Sequence, residues 1–312
     1  MEANLDFQVR DSPVQHIKTW KGSGISLYLK REDQLHSIVS GNKFRKLKYN
    51  LQEATRQGID QILTFGGAFS NHIAAVAAAG NLMGFKTLGI IRGEELGINF
   101  EQTLAENSTL NFAAQQGMKL EFVTREQYRA KDEAVFQNEL REKFGDFYLV
   151  PEGGTNKLAV KGCEEILAAS DKKMDFVCTA VGTGGTISGI INSSEKHQQI
   201  IGFPSLKGDF LTSEIRKWTS AENWKLVPDY HFGGYAKISP ELVEFINHFR
   251  ETYQVQLDPV YTGKMLYGIF DLVKKSYFPP NSLILAIHTG GLQGLPGMNA
   301  YLRKKNLPLI HM

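Results

Sequence analysis

Five segments of the chain put reactive side chains next to glycines. In AVGTGGTISG (180–189) an apolar run ends at Gly182-Thr183-Gly184-Gly185-Thr186 and a helical pattern follows. Backbone N–H groups at such a turn can converge on an anion, and the helix dipole adds to the attraction. No Gly-Lys-Ser/Thr follows, so this is not a P-loop, and Ile187 occupies the third glycine position of the dinucleotide fingerprint. Taken alone, the loop reads either as a phosphate site or as a tight turn. GGAFSNH (66–72) is a second turn of this kind. Ser70 or Asn71 could simply cap the helix that follows. Ser70, Asn71 and His72 together, with helix N–H groups, would also make a carboxylate site. In the third segment, Gly41-Asn42-Lys43 opens a helical pattern that carries Lys43, Lys46 and Lys48. These three cannot share one face, so at most one or two of them point into a site. The dipole disfavours a first-turn lysine by ~0.3–1 kcal/mol. With desolvation, the same field lowers its pKa toward the free amine that a Schiff base needs. A solvated helical lysine is the plain alternative. LDPVYTGK (257–264) and LAIHTGG (285–291) contribute Tyr261, His288 and Thr289, which are packed or turn residues unless a ligand lies against them.

The elements that must position these groups are legible as an alternation. Aliphatic runs fall at 25–30, 61–65, 87–92, 119–123, 147–150, 175–181, 198–203, 224–227 and 282–288. Several lack polar alternation, as strands buried on both faces do. Amphipathic stretches lie between them at 43–57, 100–116, 125–143, 157–169, 239–253 and 263–275. Such alternation predicts an α/β fold with mostly parallel sheets, in which ligands gather at the C-terminal ends of the strands. Most glycine pairs stand at those ends. No repeat or low-complexity tract interrupts the chain, so composition marks no domain boundary.

Composition excludes several classes. Lys and Arg total 35 against 33 Asp and Glu, a formal charge of +2, which argues against a protein built to grip nucleic acid or an anionic membrane. No apolar run approaches the ~20 residues of a membrane span, and the first 16 residues lack the apolar region of a secretory signal. Cys163 and Cys178 have no metal-like spacing and fit a reducing cytoplasm, each as a small core residue. No metal site is expected.

Together, KRED…GNKFRKL, GGAFSNH, the GTGGT loop, LDPVYTGK and HTGG resemble the D-cysteine desulfhydrase and 1-aminocyclopropane-1-carboxylate (ACC) deaminase family. These are pyridoxal-phosphate (PLP) enzymes of the tryptophan synthase β-like fold, fold type II. The match runs in order from about residue 12 to residue 300, with 95–145 poorly marked. The resemblance implies two open, twisted, mostly parallel sheets flanked by helices. Residues 1–46 with 153–312 would form a large PLP domain and 47–152 a smaller inserted one, with the cofactor between them. It implies that Lys43 carries the cofactor covalently and that Gly182, Thr183, Gly184, Gly185 and Thr186 hold its phosphate. Asn71 would contact its phenolic oxygen, Ser70 would face the substrate, and Tyr261 would lie over it. Tyr235, in FGGYAK, fits a second family tyrosine loosely, because the rest of its loop departs from the usual pattern. Ser70, Asn71 and His72 are the substrate-binding candidates, and Thr289 joins the cofactor set. A homodimer is the family expectation.

Two positions separate the branches. ACC deaminases carry a carboxylate after the motif tyrosine and a leucine after the late histidine, whereas Thr262 and Thr289 stand here, as in D-cysteine desulfhydrases. A carboxylate beside the pyridine nitrogen keeps it protonated and strengthens the electron sink; a threonine brings no charge. The expected reaction is therefore β-elimination from a small amino acid, D-cysteine first, giving pyruvate, ammonia and hydrogen sulfide. Lys43 would take the Cα proton and Tyr261 would protonate the sulfide. ACC deamination is the nearest rival, followed by a PLP racemase or dehydratase. A binding protein that keeps the pocket without catalysis is the rival from another class.

Overall fold

The computed structural model describes residues 11–312. Residues 1–10, which include most of the stretch read for a secretory signal, lie outside the described residues. The strands are β1 (Val14–Trp20), β2 (Ile25–Lys30), β3 (Gln61–Gly66), β4 (Lys86–Arg92), β5 (Lys119–Val123), β6 (Tyr148–Val150), β7 (Phe176–Val181), β8 (Gln199–Pro204), β9 (Trp224–Leu226) and β10 (Leu283–Ile287). They form a six-stranded sheet of order β1-β2-β10-β7-β8-β9 and a four-stranded sheet of order β5-β4-β3-β6. Every pairing is parallel except β1 with β2. Nine strands coincide with the aliphatic runs. β1 was not expected, for a physical reason: it is an antiparallel edge strand with Ile17 as its one buried residue, so its sequence shows little apolar signal.

Successive strand residues enter opposite cores. Ile284 and Ala286 of β10 pack with Leu27, Cys178 and Phe203, while Leu285 and Ile287 pack with Val177, Ile187 and Ile200 on the other face. The smaller sheet divides likewise, with Ile62 and Ile91 on one side and Leu63, Phe65 and Ile90 on the other. Double-sided burial explains why these strands lack polar alternation. Both cysteines are fully buried core residues, and burial raises their thiol pKa values, that of Cys163 to about 11.

Chain order nests the smaller sheet, residues 61–150, between β2 and β7 of the larger one. The expected division at 46/47 falls inside the Asn42–Arg56 helix, which packs along the Lys157–Cys163 helix. Two long helical stretches are interrupted, the first by a cap. Asn107 accepts bonds from the Thr109 and Leu110 N–H groups and restarts a helix there, so 100–116 is two helices. Residues 125–143 divide into Arg125–Arg129 and Ala134–Phe144, separated by a 3-10 turn at Ala130–Asp132 with no side-chain cap at Glu133. The Lys-Arg-Glu-Asp motif is structural. Lys30 pairs with Asp171 at 2.6 Å, and Glu32 receives Arg45 at 2.9 Å and Ser12 at 2.7 Å, all buried. These bonds fix the entry to the Asn42–Arg56 helix. No helix among the described residues is long and apolar enough to cross a membrane.

Candidate active site

The C-terminal ends of β7, β10 and β3 all present their glycine turns to one cleft, and the first turn of the Asn42–Arg56 helix lies among them. Asn42 fixes that turn. Its backbone N–H donates to the Thr289 carbonyl at 3.2 Å and its side-chain amide to Thr186 Oγ1 at 2.8 Å. Gly41 makes the approach possible. Its φ is +66°, and a Cβ there would lie 2.0 Å from the Thr289 oxygen. Lys43 is thereby set between the GTGGT and HTGG loops, with its Nζ 3.1 Å from Asn42 Oδ1. Burial, and next the positive charge of Lys46, lower its pKa from 10.5 to about 7.

Lys46 is the principal residue that sequence reasoning missed. It stands one turn along the helix from Lys43. Its buried Nζ donates to the Gly153 carbonyl at 2.9 Å, to Thr155 Oγ1 at 3.0 Å and, more weakly, to Thr183 Oγ1 at 3.4 Å. Burial lowers its pKa to about 8. The i, i+3 spacing was the available signal. Lys48 points elsewhere and pairs with Glu165 at 2.7 Å.

Ser70 does cap the Asn71–Met83 helix, accepting the Ile73 N–H at 3.3 Å. Capping uses a lone pair, so the hydroxyl can still donate. Asn71 faces the HTGG loop, where a Cβ on Gly291 would come within 2.8 Å of Nδ2. His72 must be corrected as a substrate-binding candidate. It is 2% exposed, its Nε2 bonds Thr64 Oγ1 at 2.8 Å, and Gly154 packs against the other side of its ring. One residue of helical rotation, ~100°, turns it away from the face that Asn71 presents. Burial, and then Lys43 and Lys46, push its pKa well below the usual value, so it is neutral.

Tyr261 lies against the phosphate-loop candidate, its ring 3.2 Å from where a Cβ on Gly182 would stand. Tyr235 joins it, with ring centroids 6.3 Å apart, edge to face. Burial first, then Tyr235 and Asp258, raise the Tyr261 pKa well above the ordinary phenol value. Two neighbours in the motif explain the placement. Asp258 accepts the N–H groups of Val260, Tyr261 and Thr262 and the Thr262 hydroxyl, the last at 2.6 Å. Lys264 Nζ donates to the carbonyls of His231 at 2.9 Å and Gly234 at 2.8 Å, tying the Tyr235 loop to the Tyr261 helix. Both were visible only as members of the motif, since neither residue type suggested the role. His288 is fixed by the Gln256 carbonyl at 2.7 Å and the Gly290 N–H at 3.2 Å. Thr289 is buried beside it.

A family profile described as "Pyridoxal-phosphate dependent enzyme" matches residues 5–290. The chain belongs to that family. A Thermotoga maritima protein named "Putative 1-aminocyclopropane-1-carboxylate deaminase" is 32% identical, over 93% of this chain and 97% of its own length. The Arabidopsis thaliana "Bifunctional D-cysteine desulfhydrase/1-aminocyclopropane-1-carboxylate deaminase, mitochondrial" is 30% identical, over 88% of this chain and 74% of its own. A crystal structure of an "ACC deaminase homologue" superposes with a TM-score of 0.81 at 26% identity, covering 97% of this chain and 95% of that one. The two mostly parallel sheets flanked by helices are the fold type II arrangement.

The residues fit the cofactor of this PLP-dependent family. A phosphate needs donors, and the Gly185–Ser193 helix begins at Gly184 without a side-chain cap, so its first N–H groups remain for an anion. The Lys46 cation stands beside that turn. An aldehyde needs a neutral amine, and with its pKa lowered to about 7 Lys43 is about half free base at pH 7.

Proposed function

We propose that this chain is a PLP-dependent β-eliminating lyase acting on a small amino acid, with D-cysteine the preferred substrate over ACC. The observation that carries the reading is the pairing of a base and an acid across one cleft. Lys43 is an amine about half free at neutral pH, and Tyr261 is a phenol that keeps its proton there. Elimination asks for this combination, because one group removes a proton at Cα while another supplies one to the leaving group at Cβ.

Lys43 would carry the cofactor, and Gly182–Thr186 with Lys46 would hold its phosphate. The bound cofactor supplies an electron sink for the pair left at Cα when the proton departs. Ser70, Asn71 and the adjoining N–H groups would bind the substrate carboxylate and decide which Cα–H faces Lys43. Tyr261 donates to the departing sulfur, and Tyr235, half-exposed at the mouth, covers it. Thr262 and Thr289 support D-cysteine. The Thr262 hydroxyl donates to Asp258 and accepts the Asp258 N–H at 3.0 Å, so it brings no charge of its own. A thiol of pKa ~8.5 leaves readily near neutral pH, whereas an unactivated C–C bond asks for a stronger sink. The names of the relatives favour ACC deamination as the second reading.

The change Thr262→Glu with Thr289→Leu tests the assignment. It should lower kcat/KM on D-cysteine by more than tenfold, about 1.4 kcal/mol of transition-state stabilisation. Unchanged desulfhydration would show that these threonines do not set the reaction.

A further inference from the structure

A second pocket adjoins the cleft, and neither D-cysteine nor ACC has anything to place in it. It has a volume of about 490 Å³ and lies at the C-terminal ends of β3, β4 and β5. One wall is the Gly67–Phe69 loop that leads directly into Ser70. The opposite walls carry Arg92, Arg125, Arg129 and Lys131, four cations against the single carboxylate of Glu152. Arg125 is engaged by Glu95 at 3.0 Å and Lys131 by Glu152 at 3.5 Å. Arg92 and Arg129 have no ion-pair partner among the described residues. The Arg92 guanidinium is held rather than loose. It lies 5.7 Å over the Tyr128 ring, and its Nη2 is 3.9 Å from where a Cβ on Gly67 would stand. Tyr128 adds an independent sign of a missing ligand. It is 4% exposed, its hydroxyl makes no hydrogen bond within 3.5 Å among the described residues, and the Glu152 carboxylate across the pocket is the acceptor near enough to act on it. Buried hydroxyls are rarely left so. The pocket also communicates with the cleft, since the charges of Arg92 and Glu152 are felt at Tyr235, and that of Glu152 at Tyr261.

We propose that this pocket is a second anion subsite of the cleft, taking a distal carboxylate on a β-substituent longer than the thiol of cysteine. Two free guanidiniums suit the two oxygens of a carboxylate, which arginine binds in bidentate fashion, and the Tyr128 hydroxyl supplies a neutral donor beside them. The inference rests on the β-elimination reading and names its substrate class as S-substituted cysteines bearing an acid. In that reaction the Cα–H and Cβ–S bonds break, the sulfur leaves as a thiol carrying the acidic arm, and water converts the remaining enamine to pyruvate and ammonia.

The test uses two compounds that differ by one charge, S-(2-carboxyethyl)cysteine and its carboxamide, each as the D and L isomer. The holoenzyme should turn over the acid with a kcat/KM at least tenfold above that of the amide, a difference of about 1.4 kcal/mol. Arg92→Gln with Arg129→Gln should remove the preference while shifting the amide and D-cysteine only in parallel, because both arginines are exposed and outside the reacting groups and the field of Arg92 at Tyr235 acts alike on every substrate. Calorimetric binding of the same pair to Lys43→Ala reads the subsite without turnover. Tighter binding of the acid there, with no elimination by the holoenzyme, would keep the subsite and reject the reaction. Equal affinity for acid and amide, or a preference that survives loss of both arginines, would overturn the proposal.

Discussion

Replacing Lys46 by methionine isolates the electrostatic device on which Lys43 depends. At the ordinary lysine pKa of 10.5, roughly three amines in 10⁴ are free at pH 7; with the pKa lowered to about 7, about half are. The site therefore gains roughly 10³-fold in reactive amine. Burial is the larger cause and the Lys46 charge the second. Two like charges roughly 6–10 Å apart at an effective dielectric of about 20 repel by about 2 kcal/mol, equivalent to about 1.5 pH units. Methionine preserves the stem and the burial but removes the charge. The Lys43 inflection should rise by about that amount without returning to 10.5. Modification of the apoprotein by an amine-reactive reagent between pH 6 and 10, quantified on the Lys43 peptide, reads it directly. The wild-type rate should climb through pH 7, and that of the variant through a pH about 1.5 units higher. A wild-type inflection above pH 9, or the same inflection in both proteins, would refute this account.

Other consequences follow from single residues. Gly184 has φ +87°, and a Cβ there would lie 3.3 Å from Ile215, so Gly184→Val strains the first turn of the phosphate helix by ~1–2 kcal/mol. PLP titration should show at least tenfold weaker binding, and undiminished affinity would place the phosphate elsewhere. Lys30→Met leaves the buried Asp171 carboxylate unpaired and should cost ~3–5 kcal/mol in urea unfolding. Lys30→Met with Asp171→Leu should recover much of that loss; a single variant as stable as wild type would show that the pair contributes little.

Much of the architecture was readable because burial on two faces leaves unbroken aliphatic runs, and nine of the ten strands among the described residues announced themselves in that way. What was hidden depended on polar partners. The edge strand Val14–Trp20 is held by hydrogen bonds and one buried isoleucine, and the break at Asn107 depends on a side chain capping a helix. Among the candidate site residues, the turn before Lys43 lies against Thr289 and Thr186, Asn71 against Gly291, and Tyr261 against Gly182 and Tyr235, whose loop Lys264 ties down. The roles of Lys46, Asp258 and Lys264 were not legible, because each acts through a backbone carbonyl or amide that only the fold brings near. His72 was misread for the same reason. Adjacent polar residues look equivalent in sequence, but a helix turns them to different sides, and Thr64 claims this one. The arginine pocket draws on residues 92, 125 and 129, within or beside the span where no motif was visible.

The most direct test of the proposed reaction is a competition in a single vessel. Wild-type holoenzyme is given D-cysteine and ACC at equal low concentration, and the two keto acids are separated as they form. Pyruvate reports elimination from cysteine, and 2-oxobutanoate reports opening of the cyclopropane. The base–acid pair of Lys43 and Tyr261, with uncharged Thr262, predicts that pyruvate accumulates at least tenfold faster, accompanied by equimolar hydrogen sulfide. Formation of 2-oxobutanoate at an equal or greater rate would contradict it and make this chain an ACC deaminase.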